Sequence, residues 1–220
     1  LYALPINSFA QTFVEFTAQS DAVSCTTNTL SIDIDVQNFI QMDSFDYSFH
    51  WDTTTLTLTS IDNPMLIPDI IIDQNGANAG TLTFSWTSNF PAGTTLSGGT
   101  MVTLNFDLIG NATQVSDFTF DNTPLSINIT QDGMALNSSQ YTLTDGLLSI
   151  FDTTPPTITC PIGSLTFDTG GATTTLITGA SPVATDNCAL DFISYELTMN
   201  GTNVGVGIGD VSNNVNFEIG

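Results

Sequence analysis

Apolar and polar residues alternate with a period of two along most of the chain as far as Phe151. Leu30, Ile32, Ile34 and Val36 fall on one side of a strand, with Asp33 and Asp35 on the other. The same beat runs through Gln11–Thr17, Phe45–Trp51, Leu56–Thr59, Leu82–Trp86 and Met101–Leu108. It continues in Ser116–Phe120, Leu125–Ile129, Gln140–Leu143 and Leu147–Phe151. Turn-forming clusters separate these runs: Asp62-Asn63-Pro64, Asn75-Gly76-Ala77-Asn78, Pro91-Ala92-Gly93, Gly98-Gly99 and Asp132-Gly133. Many short strands with turn residues between them predict an antiparallel β-sandwich.

The rhythm breaks at Asp152-Thr153-Thr154-Pro155-Pro156. A double proline fixes two φ angles and offers no amide donors, which suits a stiff joint between domains. Three segments follow: residues 1–22, an N-terminal arm with the first strand; residues 23–151, the main sandwich; and residues 152–220, a second β unit. Within the arm, Ser8-Phe9-Ala10 before Gln11 has the apolar-then-small character of a signal-peptide cleavage site.

Composition narrows the function. The 220 residues include 22 Asp plus Glu, one His and no Lys or Arg, for a formal charge of -22. Only 10% of residues are charged and 41% are hydrophobic, which separates the chain from disordered acidic segments and leaves enough apolar mass for packed cores. Thr, Val, Ile, Phe and Tyr favour strands, so the fold class is all-β. Without Lys or Arg the chain has no means of gripping nucleic acid phosphates, and an anionic membrane surface would repel it. Walker-type phosphate loops and Schiff-base chemistry both need the missing lysine. No apolar run reaches the length of a membrane span; the stretch Met65–Ile72 is broken by Pro68 and Asp69. Every carboxylate must be solvated, hydrogen-bonded or bound to a cation, since His50 is the one side chain that can become positive.

Two resemblances bear on identity. Leu30-Ser31-Ile32-Asp33-Ile34-Asp35-Val36-Gln37-Asn38-Phe39, followed by Phe45-Asp46-Tyr47-Ser48-Phe49-His50-Trp51 and then Asp52 to Leu56, resembles the cohesin-like, carbohydrate-binding-module-like sandwich of large bacterial surface proteins. Gly80–Trp86 and Gly99–Ile109 are similar to its later strands. Residues 152–220 resemble a hyalin repeat (HYR), an immunoglobulin-like module. The resemblance is carried by Asp152-Thr153-Thr154-Pro155-Pro156-Thr157-Ile158-Thr159-Cys160-Pro161 and by Ala184-Thr185-Asp186-Asn187-Cys188-Ala189. It implies that Cys160 pairs with Cys188, closing a loop worth about 3 kcal/mol in the chain-entropy model. It also implies that the unit is incomplete, because Phe217-Glu218-Ile219-Gly220 resembles the lead into the last strands of such a repeat. Cys25 is left over, either buried and inert or paired between chains. Modules of this kind occur together in Bacteroidota proteins exported by the type IX system, some of which form filaments, hooks or adhesive threads.

Candidate chemistry is sparse. His50 stands in an alternating strand, with Asp52 as its nearest carboxylate in sequence, and no activated Ser or Cys lies beside it; His or Cys clusters for zinc are absent. No carboxylate pair lies in a glycosidase context, so an enzyme is not expected. Calcium is the better use of the acids: Asp152 at the joint with Asp186 and Asn187 in the repeat loop, and more weakly Asp191 and Asp121. Thr53 and Thr153, in the repeated Asp-Thr-Thr tripeptide, resemble Bacteroidota O-glycosylation acceptors. Trp51, Trp86, Tyr47 and Phe49 are the aromatics available to a glycan, although alternation assigns most of them to the core. The expected role is a structural or adhesive module of an extracellular bacterial surface protein, forming homo-oligomers in a fibre. The alternative is a carbohydrate- or protein-binding module of a secreted protein.

Overall fold

The computed structural model describes residues 13–65, 67–159, 174–176, 183–188, 194–199, 202–208 and 216–218. The chain divides into two compact units, Leu1–Phe151 and Asp152–Gly220. The strands of the first unit are β1 (Glu15–Ala18), β2 (Asp21–Ser24), β3 (Thr29–Gln37), β4 (Met42–His50), β5 (Leu56–Asp62), β6 (Ile71–Asp73), β7 (Thr81–Thr87), β8 (Gly99–Leu108), β9 (Val115–Asp121), β10 (Asn128–Gln131), β11 (Met134–Ala135), β12 (Thr142–Thr144) and β13 (Gly146–Phe151).

One sheet has the order β12-β1-β3-β8-β5. The other runs β11-β10-β4-β9-β13-β2, with β7 on the second edge of β4 and β6 outside β7. Strand β4 organises this sheet. Ser44–His50 pairs with β7 along one edge, while the opposite edge is shared between β10 and β9.

Period-two alternation puts Phe16, Ile32, Ile34, Val36, Leu104 and Phe106 of the first sheet against Phe45, Tyr47, Phe49, Phe84, Trp86 and Phe118 of the second, all buried. Aromatic rings fill the centre. Tyr47 stacks on Phe84 with centroids 5.0 Å apart, Phe45 stacks on Trp86 at 5.6 Å, and Phe16 meets Phe45 edge-on at 5.4 Å. The pairing of β3 with β8 shifts register between Ile34 and Asp35, and neighbouring Met101 and Val102 both turn inward there.

Two pairings depart from the antiparallel rule: β1 with β12 and β2 with β13 are parallel. The first and last strands of this unit thus run side by side, and the chain crosses from one sheet to the other at Gln19-Ser20 and again at Asp145. The crossing is tight. A Cβ on Gly146 would lie 2.4 Å from the Gln19 carbonyl oxygen and 2.9 Å from that of Ala18, so only glycine fits. Ser20 Oγ accepts from the Leu147 N–H at 3.0 Å and Gln19 N–H donates to Asp33 O at 2.9 Å, which fixes the corner. Because the terminal strands are parallel, the chain enters the unit at one end, called proximal here, and leaves from the opposite, distal end.

In the second unit the described strands form three antiparallel pairs: β14 (Thr157–Thr159) with β16 (Val183–Thr185), β15 (Thr174–Leu176) with β19 (Asn216–Glu218), and β17 (Ser194–Met199) with β18 (Thr202–Ile208).

Most predicted strands lie within a few residues of the observed ones. Strand β10 starts three residues later than the Leu125–Ile129 run suggests, because Ser48 captures both backbone groups of Leu125. Strands β2, β6 and β11 had no alternation to betray them: they are edge or hairpin segments of two to four residues. Asp132 (φ 52°) and Gly133 (φ 72°) make the two-residue turn into β11, as an Asp-Gly pair favours. The suggested cleavage site at Ser8–Gln11 lies outside the described residues.

Candidate functional site

The outward residues of β4 are Ser44, Asp46, Ser48 and His50, and each is tied to a neighbour. Ser44 Oγ meets Thr130 Oγ1 of β10 at 2.5 Å, and Ser85 Oγ of β7 donates to Asp46 Oδ1 at 2.6 Å. Ser48 is fully buried although it faces away from the core. Its hydroxyl donates to Leu125 O at 3.0 Å and accepts from Leu125 N–H at 2.8 Å. His50 Nε2 lies 2.8 Å from Thr123 O, a group that can only accept, so Nε2 carries a proton; Nδ1 lies 3.0 Å from Thr81 Oγ1. The segment 122–127 therefore roofs this part of the sheet, held by Ser48 and His50. The nearby carboxylate is Asp121, 3.9 Å from Nε2, and not Asp52. With both ring nitrogens and the Ser48 hydroxyl engaged, the only histidine works as a fastener rather than as a general base.

The outward face of the other sheet is open. Ser31 Oγ donates to Asn105 Oδ1 at 2.6 Å, Asn105 Nδ2 reaches Ser60 Oγ and Asp62 Oδ2 at 3.0 Å each, and Thr103 Oγ1 donates to Asp33 Oδ1 at 2.6 Å. These side chains form a neutral-to-acidic mesh across β3, β8 and β5. At the start of β5 the preceding Thr55 is buried, and its hydroxyl faces Asp52.

Asp52 nucleates the turn after β4. Its carboxylate accepts the Thr54 N–H and the Thr54 hydroxyl, both at 2.8 Å, and these bonds hold its pKa below the usual carboxylate range. Thr53 lies half-buried at the corner of this Asx turn. Asp152 builds the same turn, accepting the Thr154 N–H at 2.8 Å, with Thr153 exposed. Of the calcium candidates, Asp152 and Asn187 come together: Asn187 Nδ2 donates to Asp152 Oδ1 at 3.4 Å. Asp186 accepts from the Cys188 N–H at 3.4 Å. Asp191 lies outside the described residues, as does Cys160, so the Cys160–Cys188 pairing is not located. Cys188 is disulfide-bonded, and so is Cys25. Cys25 is half-buried and bonded, which corrects the first of its two expected states, a buried and inert thiol. Trp51, Trp86, Tyr47 and Phe49 are all buried, so no sugar can stack on them.

Comparison with known proteins places the fold. No protein-family model matches the chain, and no curated protein does. Solved structures do. The seventh ScaB type I cohesin of Pseudobacteroides cellulosolvens is 14% identical over 66% of this chain and 96% of that one, with a TM-score of 0.53. The third ScaC cohesin of Acetivibrio cellulolyticus, solved with the ScaB dockerin, is 17% identical over 63% of this chain and 99% of that one, also at 0.53. The cohesin-dockerin complex Coh-OlpC-Doc435 of Clostridium thermocellum gives 14% identity over 66% of this chain and 97% of that one, again at 0.53. The first unit is a cohesin-like β-sandwich.

Proposed function

We propose that this chain is a non-enzymatic structural module of a large extracellular bacterial surface protein, a link in a fibre or adhesin that carries tension along its length. One observation carries the reading: the parallel pairing of β1 with β12 and of β2 with β13. Tension applied where the chain enters and leaves drags these strands past each other along their axes. All the ladder bonds between them then load together, whereas a terminal hairpin would open one bond at a time. The disulfide-bonded cysteines support an oxidising, extracellular setting. With a charge of -22, copies in a fibre would meet through neutral Thr, Asn and apolar contacts or through bridging cations.

Single-molecule pulling of the full chain tests the reading. The first unit should resist as one cooperative barrier, and Leu148→Pro, which removes the β13 N–H and strains the strand, should lower the unfolding force. Unfolding at forces no higher than those of a terminally unzipping sandwich would sink the proposal. Calcium at the Asp152–Asn187 loop belongs to the same reading and predicts a rise in Tm with calcium that EDTA reverses. Intact-mass analysis of natively secreted protein would show glycan on Thr53 or Thr153.

A second reading is protein docking. Its support is that cohesin-like neighbours were solved bound to dockerins. A pull-down in which a dockerin-type helical partner binds the open sheet face, and loses binding on Asn105→Ala, would favour it.

A further inference from the structure

Three loops converge at the proximal end of the first unit: residues 38–41, 88–98 and 131–134. They are stitched together by backbone bonds. Leu96 N–H donates to Phe39 O at 2.9 Å, Met42 N–H to Thr94 O at 2.9 Å, and Asp132 N–H to Gln41 O at 2.8 Å. Gln131 Nε2 donates to Ile40 O at 3.0 Å. From this frame project Ile40 (44% exposed), Phe90 (62%) and Met134 (45%).

The frame is rigid where it carries Phe90. Ser88 Oγ accepts the Phe90 N–H at 3.1 Å and meets Thr94 Oγ1 at 2.7 Å, while Gly93 N–H donates to Phe90 O at 3.0 Å. Gly93 is left-handed (φ 71°) and lies so close to Gln41 that a Cβ would come within 2.5 Å of the Gln41 carbonyl carbon. Asn38, Gln41 and Asp132 also hold positive φ, a cost that the surrounding bonds must sustain. A large aromatic held outward on an ordered loop has little entropy left to lose on binding, as anchor residues require.

Carboxylates sit in or are bonded to these loops. Asp43 Oδ2 accepts the Gly133 N–H at 2.7 Å, Asp69 Oδ2 accepts from Asn89 Nδ2 at 2.6 Å, and Asp132 stands in the turn before Met134. We infer that the proximal end is a docking surface for a basic amphipathic segment of another protein. Apolar side chains of the partner would seat on Phe90, Ile40 and Met134, and its Lys or Arg would face Asp43, Asp69 and Asp132. Charge complementarity selects this occupant. At this patch a second copy would bring no Lys or Arg to face Asp43, Asp69 and Asp132, so a basic segment fits it better than another copy does. The inference is independent of the tension-bearing reading above.

The test is a titration of the full chain with a synthetic amphipathic Leu/Lys peptide and its Leu/Glu counterpart. The Leu/Lys peptide should bind, with an affinity that falls as salt rises, and the Leu/Glu peptide should not. Phe90→Ser, which leaves the charge unchanged, should weaken binding by about tenfold, and Ile40→Ser by a smaller factor. Leu147→Ser, exposed elsewhere on the same unit, should leave it within about twofold. Emission from Trp51 and Trp86 checks that each variant is folded. Equal binding by Phe90→Ser, Ile40→Ser and the parent would mean charge attraction alone and would overturn the site. So would no Leu/Lys binding at all, or self-association that Phe90→Ser abolishes.

Discussion

The two sheets of the first unit carry outward faces made of the same residue types, and the faces behave differently. On β3 and β8, Ser31, Asp33, Thr103 and Asn105 bond to one another at the edge of solvent. On β4, Ser48 and His50 are covered by the segment 122–127 and bond to its backbone. Local alternation is the same in both places. What separates them is a loop that happens to cross one face and not the other. A polar side chain on a strand therefore has no fixed worth: in water its hydrogen bonds are exchangeable, and under a loop they close groups that nothing else can satisfy.

The largest expected effect strikes the seam that both faces share. Gly146→Val would drive a Cβ into the Gln19 and Ala18 carbonyls, backbone groups with no room to move. The loss should be about 3 kcal/mol or more, read from denaturant unfolding followed by tryptophan emission. Both tryptophans belong to the first unit, so the signal reports on it alone. A change of under about 1 kcal/mol would mean that the crossing is looser than its geometry.

The comparison itself is tested by a matched pair. Ser48→Ala strands both the Leu125 N–H and the Leu125 carbonyl, and should cost about 1–3 kcal/mol. Ser31→Ala removes a bond that water replaces, and should cost less than about 0.5 kcal/mol. Equal losses would break the distinction drawn between the faces.

How far the sequence foretold this is instructive. The inner face was legible because alternation reports burial directly: Phe45, Tyr47 and Phe49 all point inward. Alternation alone would leave the outward Ser48 and His50 to solvent, yet Ser48 is fully buried and both ring nitrogens of His50 are bonded. The segment that covers them lies more than seventy residues downstream, and no local pattern announces a loop crossing over a sheet. The parallel terminal pairs were equally hidden, since strand direction within a sheet is a property of the whole path. At the proximal end, Asp132-Gly133 declared its turn. The outward poise of Phe90 depends on Ser88, Thr94 and Gln41 meeting in space.

Asp52 offers a smaller effect with a defined pH dependence. Its hydrogen bonds from Thr54 lower its pKa in the folded chain, so the stabilisation is present above the unfolded value near 4 and fades as pH falls through the folded one. The group is exposed, so Asp52→Asn should cost under about 1 kcal/mol at pH 7. The gap between variant and parent should hold above about pH 4 and shrink as the pH falls below it. A gap that widened on acidification would contradict this origin.

The last test concerns a polar group on the inner face. Tyr47 is packed among Phe16, Phe45, Phe84 and Phe120, and its hydroxyl finds no partner among the described residues. Burial also raises its pKa well above the ordinary phenol value. Phenylalanine keeps the ring contacts and removes only the unpaired oxygen, so two terms oppose each other. Relief of an unsatisfied hydroxyl favours the variant, while a void of one oxygen's size disfavours it. An orphan donor in an aromatic core makes the first term the larger. Tyr47→Phe should leave stability unchanged or raise it by up to about 1 kcal/mol, in contrast to the loss expected for Ser48→Ala. A loss above about 1 kcal/mol would show that the hydroxyl is satisfied after all, and that the inner face, like the roofed part of the outer one, makes use of its polar groups.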